Sequence, residues 1–512
     1  MRSLCWLGRT ALLVLFVPLS AGQETPPASA DSDRVLQLSL EDVLRIALQN
    51  NVDVEIERLN TERAEYEALG SWGAFDPIVS ATGTASRNER QGTSSLAGGD
   101  VVTDDDLVLN AGVSVPIRTG GRFDLSLDHT NAKTNNQFAA FDVSTTDVIT
   151  VALTQPLLRG AWSRYATATQ RERGIALERQ RQREREIEAG MLLDAYNAYW
   201  DLVSSLEELR VREVAVELGR QQLAQDQRRL EVGAGTEVDV LQAETNVAQR
   251  EEQRLQAEFA RRQARDDLRH VLSPRPDGDY TDFLDAWDWG IEPLTPLPAV
   301  ARADDPEWRD SLRQAIDARP ELEQLRLDIR TAETELARTA SERLPQLDLD
   351  LSSRSVGFDN EPRDAFNTAA SWDFPSSSAA LTLSLPLGNR TARGAYRAAR
   401  ASLRAAMLAY DKAELDVLAG VRAAVRDVVY RRESAIAAAK SLDLARRQLE
   451  AEQTRQEVGL STTFQVLQFQ EDMAQALSAE VAARAAYAKA LAALAHAEGR
   501  LNVDLAGADP RK

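Results

Sequence analysis

Thiol and imidazole chemistry is almost missing from this chain. Its 512 residues include one cysteine, Cys5, and three histidines, His129, His270 and His496, far apart in sequence. Cys5 sits in an opening stretch with the marks of a secretory signal. Arg2 and Arg9 supply positive charge, Ala11 to Leu19 a short apolar core, and Ser20-Ala21 small residues at a cleavage point. Residues 1–21 are therefore expected to be a signal peptide, with an N-terminal extension over 22–38. Once processed there, the chain has no cysteine, which excludes disulfides, thiol catalysis and a cysteine-linked lipid anchor. No apolar run reaches the roughly 20 residues of a membrane-spanning helix. Gly-x-x-x-x-Gly-Lys-[Ser/Thr], His-Glu-x-x-His and Gly-x-Ser-x-Gly do not occur, so the usual phosphate-loop, zinc-protease and serine-hydrolase signatures are missing. The expectation is a protein that is not an enzyme and holds no cofactor or metal.

Basic residues are also in deficit. The 60 lysines and arginines face 80 acidic residues, a formal charge of −20, and about −22 once Arg2 and Arg9 are removed. Nucleic-acid phosphates would be repelled, so no nucleic-acid partner is expected. The acidity fits plain solubility and a cation-attracting surface equally well.

Proline is missing from Trp162 to Glu231. A helix over that stretch would reach roughly 100 Å at 1.5 Å per residue. Ala195, Leu202, Leu209, Val216, Leu223 and Leu230 recur every seven residues, as do Val421, Val428, Ala435, Leu442 and Leu449. A strict seven-residue period predicts packed helices with left-handed supercoil.

What the chain does have, it has twice. Glu231-Val232-Gly233-Ala234-Gly235-Thr236-Glu237-Val238-Asp239-Val240-Leu241-Gln242 returns 226 residues later as Glu457-Val458-Gly459-Leu460-Ser461-Thr462-Thr463-Phe464-Gln465-Val466-Leu467-Gln468. Ala47 to Val54 resembles Ala315 to Leu322 at an offset of 268, which also carries Pro77 onto Pro345. Two copies of one unit imply a pseudo-symmetric structure. The first repeat spans 39–272: a helix over 39–70, strands near 77–87, 107–116, 121–130 and 147–156, then long helices over 162–232 and 236–272. A Pro- and Trp-rich connector follows over 273–308. The second repeat spans 309–503: a helix over 309–343, strands near 345–356 and 378–387, and long helices over 391–458 and 462–501. A tail covers 504–512.

Each strand segment alternates. Leu347, Leu349 and Leu351 are separated by Asp348 and Asp350, and Phe123, Leu125 and Leu127 are interleaved with Asp124, Ser126 and Asp128. One apolar and one polar face fit a soluble sandwich, and equally a membrane barrel with a wet interior. Asp124, Asp128, Asp348 and Asp350 are candidate lumen residues. Pro77, Pro156, Pro345 and Pro386 mark strand–helix junctions, where proline cannot continue a hydrogen-bond ladder. Trp72, Phe75 and Trp162 flank the strand ends and fit either an interfacial aromatic belt or local packing. Segments 88–106, 131–146 and 357–377 read as long polar loops. In the duplicated motif, Gly233 and Gly459 suit the left-handed residue past a helix end. Thr236 and Thr462 suit the next N-cap, with Asp239 and Gln465 in the capping-box position. Each motif thus encodes a helical hairpin tip.

Taken together, the Val-Gly-x-x-Thr-x-x-x-Val-Leu tips at Val232 and Val458, and the junctions Thr154-Gln155-Pro156-Leu157 and Ser384-Leu385-Pro386-Leu387, resemble the TolC family of bacterial outer-membrane efflux and secretion channels. The resemblance covers nearly all of the chain after the signal. It implies a mostly helical protein with a membrane β part: a homotrimeric outer-membrane β-barrel continued by a periplasmic α-helical tunnel. It implies a passive exit duct in a tripartite efflux pump or type I secretion system, gated at the tips, with a periplasmic adaptor and an inner-membrane pump as partners and outer-membrane lipid around the barrel. Gly233, Thr236, Gly459 and Thr462 would form the adaptor-docking tips. Family members constrict the entrance with acidic residues in the second tip. Here Gln465 and Gln468 stand at those positions and Asp239 remains in the first tip, so the acidic ring is absent, weakened or moved. The 107–130 hairpin is a second departure: inserted, it gives 18 strands per trimer, and outside the barrel, 12. The alternative function is a non-conducting periplasmic scaffold bridging envelope layers, against which the amphipathic strands argue.

Overall fold

Asparagine in one repeat and proline in the other break the helices at equivalent points. The computed structural model describes residues 35–92, 101–136, 139, 141–272, 287, 289–300, 302, 305–458 and 460–501. The expected signal peptide, the 504–512 tail, most of the connector and Gly459 lie outside the described residues. Helices α1 (Leu40–Asn50) and α2 (Val52–Ser71) replace the single helix expected over 39–70. Asn51 takes an extended conformation, and its side chain accepts from the Asp53 and Val54 amides, so it ends one helix and caps the next. The expected 309–343 helix is likewise divided at Arg319. Here Pro320 lacks an N–H and biases the preceding residue away from helix.

Six strands form one antiparallel sheet: β2 (Ile78–Gln91), β3 (Val101–Pro116), β4 (Arg122–Thr134), β5 (Val143–Pro156), β7 (Gln346–Asp359) and β8 (Pro375–Ser384), in that order across the sheet. The 107–130 hairpin is therefore part of the sheet, as β3 and β4, and does not fold outside it. Strands β2, β3, β4, β5 and β7 run up to six residues further at the distal end than the apolar alternation suggested. Ladder hydrogen bonds continue into polar residues, such as Asp105 opposite Lys133, where the apolar requirement has stopped. Strands β1 (Val35–Leu38) and β6 (Gly290–Pro293) pair in parallel, a contact the sequence did not suggest.

The long helices are α4 (Ala168–Glu231), entered through the short turn α3 (Ser163–Ala166), then α5 (Glu237–Leu272), α9 (Arg390–Glu457) and α10 (Thr463–Ala497). With α6 (Trp308–Ala318) and α7 (Pro320–Glu342), they make one layer. Nearer the sheet it runs α2–α4–α7–α9, and nearer the tips α5–α4–α10–α9. The end of α5 meets the start of α2, where Asn51 Nδ2 donates to Val271 O at 3.2 Å. In the other repeat Gly499, past the end of α10, abuts Ala318 and Arg319 at the start of α7. The repeat cores match. Ala47 and Val54 in one, and Ala315 and Leu322 in the other, are fully buried or nearly so.

The segment expected as a 357–377 loop contains helix α8 (Pro362–Ser371), which folds back onto β5 and β7. Gly357 makes this possible, because a Cβ there would collide with Ala365 O and Ala369 N. Gly357→Ala should therefore displace α8 at a cost of about 1–3 kcal/mol. Limited proteolysis reads this directly, with faster cleavage between 360 and 374 expected in the variant. Unchanged cleavage would mean that α8 is not seated on Gly357.

Candidate functional site

The strand register sorts the sheet residues into two faces. One carries Val79, Ala81, Leu107, Leu109, Ala111, Val113, Phe123, Leu125, Leu127, Ile149, Val151, Leu153, Leu349, Leu351, Leu381 and Leu383 as a continuous apolar band. The other carries Thr82, Thr84, Ser114, Ser126, Thr150, Thr154, Ser352 and Ser378. All four candidate lumen residues, Asp124, Asp128, Asp348 and Asp350, lie on this polar face. Asp124 accepts from Ser114 Oγ at 2.6 Å and pairs with Arg122 at 2.9 Å, while Asp350 accepts from Thr154 at 2.9 Å. An apolar and a wet face at alternate residues is the division a membrane barrel wall needs. Beyond the band, on the same face, His129 contacts Asp147 at 2.7 Å beneath α8, and Thr145 and Ser355 are fully buried there.

The sheet's near end joins the helices at the four marked prolines. Pro77 precedes β2, Pro156 ends β5, Pro345 precedes β7 and Pro386 follows β8. Arg118, in the Ile117–Gly121 turn, lies 4.8 Å over the Trp72 ring, which is 6.0 Å from Phe75. Trp162 stands exposed beside this turn, its amide bonded to Thr119 O at 2.9 Å.

At the other end, both duplicated motifs turn the chain by the same local chemistry. Gly233 has φ +75°, and the Ala234 amide reaches back to Arg229 O at 2.8 Å. Leu460 repeats this bond to Arg455 O at 2.8 Å. Thr236 Oγ1 accepts from the Asp239 amide at 3.2 Å, and the Asp239 carboxylate accepts from the Thr236 amide at 3.1 Å. Thr462 and Gln465 form the matching box. Asp239 and Gln465 are thus turned back onto their own helix ends, whereas Gln468 is exposed in a groove between α5 and α10. Val232, Val238, Leu460 and Phe464 leave apolar surface exposed around the tips.

Sequence reasoning passed over three groups. Asp226, buried on α4, accepts from Gln222 at 3.1 Å and from Thr463 of α10 at 3.0 Å, tying the second tip to the first repeat. Arg250 of α5 is buried against α4 and α10. His270 and His496 line one cavity at the two helix joints, with Asp53, Glu57, Asp194 and Glu321. These histidines are separated by the same 226 residues as the tips, a signal available in the sequence. Among the described residues no group of three or more His, Cys, Asp or Glu is placed to hold a metal, and no helix is long and apolar enough to cross a membrane.

This fold has known counterparts. The family model described as outer membrane efflux protein matches residues 311–500, the second repeat. No curated protein sequence matches. Among solved structures, the outer-membrane channel OprN is similar at 15% identity over 94% of this chain and 98% of its own, with a TM-score of 0.63. The CmeC outer membrane channel of Campylobacter jejuni shares 14% over 90% and 85%, at 0.63. The open-state MtrE channel of Neisseria gonorrhoeae shares 17% over 90% and 88%, at 0.62. Sheet, tips and comparisons together define the fold, mostly helical with one amphipathic β-sheet, which this chain shares with those channels. The resemblance to the TolC family stands, carried by the family match of the second repeat and by the fold of the whole chain. The solved structures it is similar to are described as outer-membrane channels.

Burial, and then Arg319, hold the His496 imidazole below its usual range, while Glu321, Asp194 and Glu186 pull the other way. The folded chain thus disfavours the protonated ring, which the unfolded chain forms below about pH 6.5. This contribution is present at neutral pH and is lost as pH falls through about 6.5 toward the lower folded value. Thermal melts should show His496→Gln losing less stability than the wild-type chain between pH 7.5 and 5.5. Equal losses would remove His496 from the acid response.

Proposed function

We propose that three copies of this chain form an outer-membrane exit duct for a tripartite efflux pump or a type I secretion system. One observation carries this reading: the sheet has an even number of strands, a wet face, and two free edges, β2 and β8. With six alternating strands, β8 of one copy runs antiparallel to β2 of the next, and three copies close into 18 strands. The helical flanks support the same head-to-tail ring. On α9, Leu408 is 67% exposed and Leu415 66%, seven residues apart, with Tyr430 and Leu444 further along. On the opposite flank α2 exposes Leu59 and Tyr66, also seven apart, and α5 exposes Leu255 and Phe259. Left open, these stripes are the seams of a coiled-coil layer without a partner.

In this reading Asp124, Asp128, Asp348 and Asp350 line the lumen. Gly233, Thr236, Gly459 and Thr462 shape tips that meet a periplasmic adaptor, whose inner-membrane pump supplies the energy. Asp239, Gln465 and Gln468 stand at the entrance, and the tip hairpins rearrange on partner contact to open it. Asp239 and Gln465 are engaged in their own helix caps, which hold both side chains against their helix ends. Trp72, Phe75 and Trp162 mark the periplasmic edge of the lipid.

Conductance in planar bilayers tests the duct. Purified protein should insert and give discrete openings. Leu408→Asp combined with Leu415→Asp should shift trimers toward monomers and remove the openings. Gly233→Val with Gly459→Val should keep the trimer and abolish export by cells. Trimers that never conduct, with or without partners, would favour a periplasmic scaffold.

A further inference from the structure

Arg250 is a charged side chain in an unusual place. It is only 2% exposed, on α5, and its Nη1 donates to Ala215 O of α4 at 2.7 Å and to Gln470 Oε1 of α10 at 3.1 Å. Its path crosses α4 at Gly219. A Cβ there would stand 3.2 Å from Nη1 and 3.3 Å from Cδ, so the missing side chain leaves the passage open. One residue thereby touches three helices from both repeats. Burial lowers the proton affinity of its guanidinium and nearby Glu471 offsets part of this, but an arginine keeps its charge in proteins. Among the described residues its Nε and Nη2 have no partner, nor does Asn246 Oδ1 one turn toward the tip.

The surroundings differ on the two sides of this bridge. Toward the tips, α5 and α10 flank an open groove lined by Leu241, Gln242, Asn246, Phe464, Gln468 and Glu471. Away from them, Val211 and Ala215 of α4 pack with Ala474 of α10 as a buried cluster, with Leu477 against it. Arg250 sits where the packed region gives way to the groove.

We infer that Arg250 is a positioning residue and the pivot of the two tip hairpins, pinning α5 to α10 across Gly219 so that tip motion is confined to the segment below it. The inference rests on the reading that the duct is gated at its tips. A guanidinium suits the role because its planar fork can hold two acceptors on different helices at once. In this role the buried contact sets relative position, a use of buried polar groups known from some helical assemblies. Gln470→Leu removes the α10 end of the pin while leaving Arg250 its bond to Ala215.

The only cysteine, Cys5, falls in the expected signal, so paired spin labels can be introduced cleanly. One pair, Gln242→Cys with Gln468→Cys, reports the groove. A second, Gln256→Cys with Gln475→Cys, reports the packed side. In the otherwise unaltered trimer the groove pair should give a broad distance distribution and the packed pair a narrow one. Arg250→Met, and Gln470→Leu if that variant folds poorly, should broaden the packed pair to match the groove pair. Arg250→Lys should recover part of the narrow distribution, since its ammonium also donates to two acceptors but lacks the rigid planar fork that fixes their direction. Closed-state leak through bilayers should rise at least tenfold in Arg250→Met. A packed-pair distribution unchanged in folded Arg250→Met and Gln470→Leu trimers would overturn the pivot. Absence of any conductance in the parent protein would instead count against the duct, while the distance measurements would still decide the pivot.

Discussion

Backbone hydrogen bonding at the two ends of the sheet is the constraint on which everything else depends. Within hydrocarbon no water satisfies a free N–H or C=O, and each such group costs several kcal/mol. Strands β2 and β8 each leave one row of ladder groups unpaired at the sheet's edge, beside a band of leucine, valine and alanine that suits lipid. A single chain cannot resolve this, because six strands of this length do not close on themselves around a wet interior. In the proposed ring a second copy at each edge does, and that ring also closes the helical layer, since β2 follows α2 in the chain and β8 leads into α9. The exposed Leu408 and Leu415 on one flank and Leu59 and Tyr66 on the other are the helical counterpart of the unpaired strand edges.

Duplication lets one chain serve a layer that changes register along its length. Nearer the sheet the four helices are α2, α4, α7 and α9; nearer the tips α5 replaces α2 and α10 replaces α7. The exchange occurs at two equivalent joints, where Asn51 and Arg319 interrupt the helices and where His270 and His496 share one cavity. The second repeat keeps its seven-residue stripe buried from Val421 to Leu449. In the first repeat the stripe becomes exposed by Leu230, and polar Gln222 and Asp226 take the buried positions facing α10. Toward the tips, side-chain hydrogen bonds thus replace much of the apolar packing between the repeats. A region held this way can shift without exposing a large apolar surface.

Legibility in the sequence followed the range of the interactions. The tips were readable because a Schellman turn and a capping box are complete within twelve residues, and Thr236-x-x-Asp239 says what it does. The strands were readable only where one apolar and one polar face impose alternation. Beyond the apolar band, strand β3 extends back to Val101 through Asp104, Asp105 and Asp106, a run that has the composition of a loop. Helix α8 was missed for the same reason, since its anchor is Gly357 on a neighbouring strand. The break at Asn51 was hidden by an unbroken apolar spacing, and Pro320, which marks the matching break in the second repeat, was read through as part of one helix. Arg250 could not be found from local pattern: an arginine within Gln249-Arg250-Glu251-Glu252 looks like a solvated face until Gly219 and Gln470 are seen against it.

The central claim is that the sheet edges of neighbouring copies join. Electron cryo-microscopy of the detergent-extracted protein tests it most directly, by rotational symmetry and strand count. The account predicts a threefold hollow tube whose barrel has 18 strands, with β8 of each copy paired to β2 of the next. A barrel of 12 strands with the β3–β4 hairpin outside it, or a rod with no threefold axis and free sheet edges, would contradict it.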